Sequence, residues 1–480
     1  MKLELTRRKE TGSLADLLEA QGCPLDLRCG GNGSCGRCRV QLLSGTYRID
    51  GEEVSVSPPG ISAKACRTVL TSENGCVEVP ETSYRSLSSG SILADWTGAP
   101  LARISAPVIG VDIGTTTVAA VKLVDGRITA RASAFNGQSR FGDNVISRIV
   151  HAGSSPEALE EERKAVADTI SKLLAELDGS DCIRIAVAGN TVMSLLFHGI
   201  DPTPVGTMPF LPPTRCFPIR TARDCGLISM PPDIPVLTVP AIAGYVGGDL
   251  VAGIARTNPQ PGEMLVDIGT NCEIVFRTSE KIFCTAAAAG PAFEGGGIPC
   301  GSRAVEGAID HYFPDGTFSV LGGGNARGLC GSAMIDFLAV LRRKEQLNEF
   351  GRLQPEADRF AFTDSLSISE EEISQLLKAK AAVAAGIQTL ADYCATPVKR
   401  ILLAGGFARY LDLANAKAIG MLPDVECRIV GNTSLAGAAE LAAKPEMLSE
   451  LERLSAEPCE LPLNALPEFE NNYIDGLMLP

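Results

Sequence analysis

The sequence predicts a multi-domain α/β protein: a small cysteine-bearing unit, then a larger two-lobed domain built on a duplicated strand–turn–strand. Three observations carry this. Four cysteines with loop-type spacing fall within residues 1–84. An Asp-x-Gly-Thr turn between β-branched runs occurs twice, 155 residues apart (267 against 112). A strand ending in Gly-Gly follows the second copy. At 480 residues the chain has room for about three domains of about 150 residues each.

Composition narrows the function classes. With 43 Lys+Arg against 57 Asp+Glu the net charge is −14, so no basic stripe is available for nucleic acid or an anionic membrane. Hydrophobic residues make up 45% and charged residues 21%, as in an ordinary globular core. No apolar run approaches ~18 residues and the start lacks a signal-type apolar segment, so a soluble cytoplasmic protein is expected. Sixteen cysteines without an export signal argue for buried thiols or metal ligands over a disulfide framework. The three histidines, His151, His198 and His311, are too scattered for a histidine metal centre.

Residues 1–84 read as one unit. Lys2–Leu5 alternates like a strand, and Ser13 opens a short helix with Leu14, Leu17 and Leu18 on one side and Gly22 beyond its end. The segment Cys29-Gly-Gly-Asn-Gly-Ser-Cys35-Gly-Arg-Cys38 follows, then a strand from Arg39, then Cys66, and a last strand ending near Pro80. Three cysteines on a glycine-rich loop plus one distant cysteine is the plan of a ferredoxin [2Fe–2S] site. Glycine lets such a loop turn its N–H groups toward sulfur. Cys29, Cys35, Cys38 and Cys66 are the predicted ligands. A four-cysteine zinc site would present two CxxC pairs, and this unit has one. Cys23 and Cys76 fall outside the spacing and are read as packing residues.

Residues 85–104 read as a linker, 105–245 as a first lobe and 246–480 as a second lobe with a C-terminal tail. Val-Ile-Gly-Val-Asp112-Ile-Gly114-Thr115-Thr116-Thr117 is echoed by Met-Leu-Val-Asp267-Ile-Gly269-Thr270-Asn271. The glycine lets backbone N–H groups approach phosphate oxygens, the hydroxyls add donors, and the aspartate can serve Mg²⁺ or orient a water. Residues 367–394 read as an Ala-rich helix, followed by a strand (Arg400–Ala404) running into Gly405-Gly406-Phe407, which suits an adenosine site. No Gly-Lys dipeptide occurs, which excludes a Walker A loop. Glu294, in the glycine-rich stretch 290–301, is a further candidate for the cleft or for coupling the lobes. Asp249 is a weaker one. His198, Cys300 and Cys330 are read as packed side chains.

This combination resembles the superfamily of acetate and sugar kinases, heat-shock chaperone ATPases and actin. Asp112–Thr117 and Asp267–Asn271 match its two phosphate motifs, and Gly405–Phe407 matches its adenosine motif. More narrowly the chain resembles the ATP-dependent reductive activators of corrinoid proteins. The matching stretches include Ala-Gly-Asn190-Thr191-Val-Met, Gly290-Pro-Ala-Phe-Glu294-Gly, Cys330-Gly-Ser-Ala-Met and Leu-Ala-Gly405-Gly406-Phe.

The resemblance implies a β-grasp [2Fe–2S] ferredoxin domain followed by an actin-like (ASKHA) ATPase. The cofactors would be the cluster, ATP and Mg²⁺. The implied work is reduction of a corrinoid protein of a methyltransferase system from Co(II) to Co(I), with electrons from a low-potential donor; a homodimer is compatible with it. Asp112 and Asp267 would be catalytic. Gly114, Thr115, Thr116, Thr117, Gly269, Thr270, Asn271, Glu294, Gly405, Gly406 and Phe407 would hold nucleotide.

The chain departs from the family pattern at two places: little sequence separates the cysteine unit from Asp112, and Cys272 stands where the pattern has glycine. The competing readings are an activator of another low-potential enzyme, a redox-responsive ATP-binding regulator, and a small-molecule kinase.

Overall fold

The computed structural model describes all residues except 8–11, 22, 24, 26–32, 34–37, 81–100 and 143. The chain divides into two units, Met1–Ser88 with Gly296–Pro299, and Ser89–Gly295 with Cys300–Pro480.

In the first unit, β1 (Lys2–Thr6) precedes α1 (Leu14–Ala20). Ser13 starts the helix through a reciprocal box. Its Oγ accepts from the Asp16 N–H at 3.2 Å, and the Asp16 carboxylate accepts from the Ser13 N–H at 2.7 Å. Leu14, Leu17 and Leu18 are then buried against Leu5, Val40, Leu42 and Val77, each such side chain contributing about 1.5–3 kcal/mol. The sheet comprises β1, β2 (Arg39–Ile49), β3 (Glu52–Val56), β4 (Ile61–Lys64), β5 (Thr68–Leu70) and β6 (Asn74–Glu78). β6 lies between β1 and β2, and β2 also pairs with β3, β4 and β5, antiparallel throughout.

The second unit contains two six-stranded sheets with one plan. In the first, β7 (Val108–Ile113), β8 (Thr117–Val124) and β9 (Arg127–Phe135) form an antiparallel meander. Helices α2 (Val145–Ala152) and α3 (Pro156–Glu176) lead to β10 (Arg184–Gly189), which runs parallel to β7. α4 (Thr191–Phe197), β11 (Arg220–Thr221) and β12 (Pro235–Thr238) complete it. After α5 (Gly248–Thr257) the second sheet repeats the plan with β13 (Glu263–Ile268), β14 (Cys272–Arg277) and β15 (Ile282–Ala287). β13 begins 155 residues after β7 (263 against 108), and β14 the same distance after β8 (272 against 117).

Side elements follow: β16 (Ala308–Tyr312), β17 (Phe318–Val320), β18 (Gly328–Leu329), α6 (Gly331–Arg343), and the hairpin β19 (Arg359–Thr363) with β20 (Leu366–Ser369). α7 (Glu370–Cys394) is the Ala-rich helix. It begins later than 367 because Ser369 is its cap and residues 367–369 belong to β20. β21 (Arg400–Ala404) then runs parallel to β13, and β22 (Glu426–Gly431) parallel to β21. α8 (Leu413–Ala418) lies between these strands in sequence, and α9 (Thr433–Ala443) follows them.

Small residues let α9 approach both of its neighbours. A Cβ on Gly110 of β7 would lie 2.6 Å from the Ala439 backbone, and one on Gly437 would lie 2.8 Å from the Ala252 Cα of α5. The resulting core joins Val108, Ala119, Val251, Leu265, Leu402 and Ala438, and sets the turns after β7 and β13 against each other.

Candidate functional site

In the first unit, Cys38 immediately precedes β2, and Cys66 lies in the short 3-10 turn (Ala65–Arg67) between β4 and β5. Their sulfurs are 3.2 Å apart. Two thiolates bound to one metal at about 2.3 Å each must lie within about twice that distance, so the pair fits a shared iron. The Cys38 carbonyl accepts from the Ala65 N–H at 2.9 Å, and the Lys64 ammonium donates to the Gly33 carbonyl at 2.6 Å. The other two expected ligands, Cys29 and Cys35, lie outside the described residues. Cys23 and Cys76 are buried in packing.

In the second unit the two Asp-x-Gly-Thr turns face one cavity of about 250 Å³. Each is closed by its glycine: the Gly114 N–H donates to the Thr117 carbonyl at 3.0 Å, and the Gly269 N–H to the Asn271 carbonyl at 2.8 Å. The tips meet. The hydroxyls of Thr116 and Thr270 are 3.4 Å apart, and both donate to Glu294 Oε2, at 2.9 and 3.0 Å. All the residues of this unit that the sequence reading made catalytic or nucleotide-holding, from Asp112 to Phe407, line the cavity, as does Asp249.

Gly405 enters at φ +93°, and a Cβ there would stand 2.6 Å from Asp267 Oδ1. The turn after β21 can therefore lie against the aspartate only as glycine. Phe407 stacks on Phe293, with centroids 5.2 Å apart and planes 11° from parallel.

The two aspartates differ in their surroundings. Asp112 accepts from Asn432 Nδ2 at 2.9 Å and from Ser434 Oγ at 2.7 Å, both at the start of α9. Burial raises its proton affinity and these two donors oppose the rise. Asp267 is pushed up to about 8 by burial and by the charges of Asp249 and Asp112. Asp249, in the first turn of α5, is pushed up to about 7, chiefly by burial. Glu273, paired across the hairpin with Asp267, is raised well above the usual carboxylate range by burial and by Asp249 and Asp267. Four carboxylates thus line one end of the cavity. Among the described residues no group of three or more His, Cys, Asp or Glu is arranged to hold a metal unaided. Mg²⁺ takes one or two carboxylates and completes its octahedron with phosphate oxygens and water.

Several residues escaped the sequence reading. Arg148, wholly buried on α2, donates to the Thr115 carbonyl at 2.5 Å and to Gly142 at 3.1 Å, fixing the first turn from behind. Asn190 caps α4 and donates to the Thr115 hydroxyl at 3.1 Å. Arg303 also lines the cavity, its guanidinium 4.0 Å above the Phe135 ring. Asn190 and Asn432 left local signals, each a cap residue before a helix, Asn190 also within the Ala-Gly-Asn-Thr-Val-Met stretch.

Cys272 does not line the cavity. It opens β14 with its side chain fully buried, paired with Ile268, and its neighbour Glu273 takes the cavity side. Strand alternation and an ordinary φ make the departure from glycine harmless there. His198 is packed, its Nε2 2.8 Å from Thr238 Oγ1 and its ring stacked on Phe217; burial lowers its pKa to about 4. Cys300 and Cys330 are buried, Cys330 at the cavity wall beside Ser332.

Three family models match the chain: a 2Fe–2S iron–sulfur cluster binding domain over residues 3–71, the RACo middle region over 108–260, and the C-terminal, ASKHA domain of RACo over 262–480. The chain is 25% identical over 572 residues to the corrinoid activation enzyme RamQ of Eubacterium limosum, covering 97% of this chain and 96% of that one. It is 25% identical over 392 residues to a [Co(II) methylated amine-specific corrinoid protein] reductase of Methanosarcina barkeri, covering 72% and 71%. Among solved structures, a reductive activator for a corrinoid, iron–sulfur protein matches with a TM-score of 0.72 and 25% identity, covering 99% of this chain and 96% of that one.

Proposed function

The chain belongs to the RACo family of ATP-dependent reductive activators, a [2Fe–2S] domain followed by an ASKHA ATPase domain, and from that premise we propose how its own residues divide the work. The reaction is ATP-driven one-electron transfer that returns a corrinoid protein from Co(II) to Co(I). The observation that carries this is the convergence of both Asp-x-Gly-Thr turns on one carboxylate-lined cavity, in a chain that also brings Cys38 and Cys66 together.

The cluster supplies a one-electron carrier near about −400 mV when of the plant type. Lowering the effective potential further costs about 2.3 kcal/mol per 100 mV for each electron. Nucleotide can supply that only if its bound states differ in affinity for the partner's redox states.

Cys29, Cys35, Cys38 and Cys66 hold the cluster. Thr115, Thr116, Thr117, Thr270 and Asn271, with the turn glycines Gly114 and Gly269, bind the phosphates. Gly405, Gly406 and Phe407 border the adenosine. Asp112 is held by α9 and ties the first turn to the second lobe, and it shares a Mg²⁺ site with the phosphates. Asp267 orients the attacking water; its raised proton affinity suits a group that must take a proton near neutral pH. The electron donor is a low-potential one-electron reductant. The division into residues 1–84, a linker over 85–104, and lobes over 105–245 and 246–480 goes with these roles.

The test is an anaerobic visible spectrum of the protein mixed with a corrinoid methyl carrier in its Co(II) state, reductant present, before and after Mg-ATP. A Co(I) band that grows only with ATP supports the assignment. A reducible cluster and measurable ATPase activity without Co(I) would move the function to another low-potential client.

A further inference from the structure

We propose that Glu294 is an internal stand-in for the terminal phosphate of ATP: its carboxylate holds the Thr116 and Thr270 hydroxyls until that phosphate displaces it. The inference rests on the ATP reading above and goes beyond it, because Glu294 then competes with the nucleotide and does not bind it.

The geometry is specific. One oxygen, Oε2, accepts from both hydroxyls, at 2.9 and 3.0 Å, and those hydroxyls belong to the two turns on either side of the cavity. A threonine hydroxyl has a single hydrogen to donate. It can serve the carboxylate or a phosphate oxygen, not both. Carboxylate and phosphate are also both anions, and in a partly buried cleft they cannot share the place. ADP lacks the terminal phosphate and leaves Glu294 where it is. ATP does not.

The surrounding chain is built to move when this happens. Glu294 ends a three-residue 3-10 turn, Ala292–Glu294, and glycines at positive φ stand on both sides, Gly290 at +75° and Gly295 at +75°. Glycine takes these angles without strain, so the turn can swing without distorting the strands. Phe293, next in sequence, stacks on Phe407 beside Gly405 and Gly406. Release of Glu294 is therefore felt at Phe407, which lines the same cavity.

The experiment is calorimetric titration of the full chain, in Mg²⁺, with a non-hydrolysable ATP analogue and separately with ADP, for wild type, Glu294→Gln and Glu294→Ala. Both variants are expected to bind the analogue on the order of 10-fold tighter, the scale of one charge-assisted hydrogen bond, while ADP affinity stays unchanged. Hydrogen exchange on wild type gives a second readout that needs no variant. The analogue, unlike ADP, should speed exchange across residues 290–295.

Weaker or unchanged analogue binding in both variants would overturn the proposal and make Glu294 a nucleotide or metal ligand. Exchange in wild type that responds equally to analogue and ADP would overturn it as well. If wild type bound neither nucleotide, the ATP reading itself would fall, a result distinct because it appears before any substitution is made.

Discussion

The hydroxyls of Thr116 and Thr270 lie 3.4 Å apart although 154 residues separate them. Each is the tip of a hairpin turn that the sequence repeats, and the repeat becomes one cleft because α5 and α9 pack closely enough to bring the two sheets together. A duplication that left the tips apart could cradle one phosphate at each. With the tips in contact, both turns address the same group.

The duplicated aspartates have diverged in environment, so they should differ under mutation. Asp267 has its proton affinity raised to about 8, whereas Asp112 is bound by Asn432 and Ser434. Asp267→Asn is expected to lower the ATPase kcat by on the order of 10²-fold or more, as loss of a positioned proton-handling group does. Ser434→Ala removes one of two donors to Asp112 and should mainly raise KM, because it loosens the first turn. Steady-state ATPase assays of the two variants separate these outcomes. Equal kcat losses would deny the division of labour.

Gly405 offers a purely steric test. A methyl group there would stand 2.6 Å from Asp267 Oδ1 and 2.8 Å from the Ile268 carbonyl, at a φ of +93° that L side chains avoid. Gly405→Ala should cost about 1–3 kcal/mol of stability and weaken nucleotide binding at least as strongly as it weakens the fold. Thermal unfolding with and without Mg-ADP measures both, and a variant that melted lower but kept full ligand stabilisation would place the nucleotide elsewhere.

What the sequence made legible is what local chemistry encodes. Asp-x-Gly-Thr reads as a tight turn because its glycine, aspartate and hydroxyls lie within a few residues, and the capped helix at Ser13 is equally local. Arg148 was not legible: it is a basic residue on an ordinary amphipathic helix until folding places it against the Thr115 carbonyl, 33 residues away. Asn432 and Ser434 lie 320 and 322 residues from the aspartate they hold. No pattern in one sequence links such pairs. Glu294 was visible only as a carboxylate in a glycine-rich stretch, and its two hydroxyl partners come from packing.

Glu162 supplies a pH dependence outside the nucleotide cavity. It is fully buried on α3 beside His151 of α2, at 3.3 Å, with the Arg148 and Arg140 charges and Gln138 nearby. Burial dominates and lifts its pKa from 4.5 to about 8. Between those values the native state holds a proton that the unfolded chain has released. Stability is therefore full below pH 4.5 for this group and falls as pH rises toward 8, by up to about 1.4 kcal/mol per pH unit. Glu162→Gln removes the titration, so its urea midpoint should exceed that of wild type at pH 8 and lose the advantage near pH 5. A parallel pH profile in the two proteins would show that Glu162 is ionised in the fold.

The two chemistries should fail independently. Cys38 and Cys66 lie in the first unit, 3.2 Å apart, while every residue lining the carboxylate-lined cavity belongs to the second. Cys66→Ser replaces a soft sulfur ligand with a hydroxyl, which iron–sulfur clusters rarely accept in place of thiolate. The variant should lose most of its visible cluster absorbance and all Co(I) formation. Its affinity for Mg-ADP should match wild type, since no phosphate or adenosine contact is touched. Asp267→Asn should behave in the converse way, with a cluster that reduces normally while ATP turnover and Co(I) formation both fall by on the order of 10²-fold or more. Electron transfer thus fails in both variants for different reasons, read separately by absorbance and by calorimetry. If Cys66→Ser abolished nucleotide binding as well, the cluster would be part of the nucleotide site's stability, and ATP could not be driving an electron carrier that folds and binds independently of it.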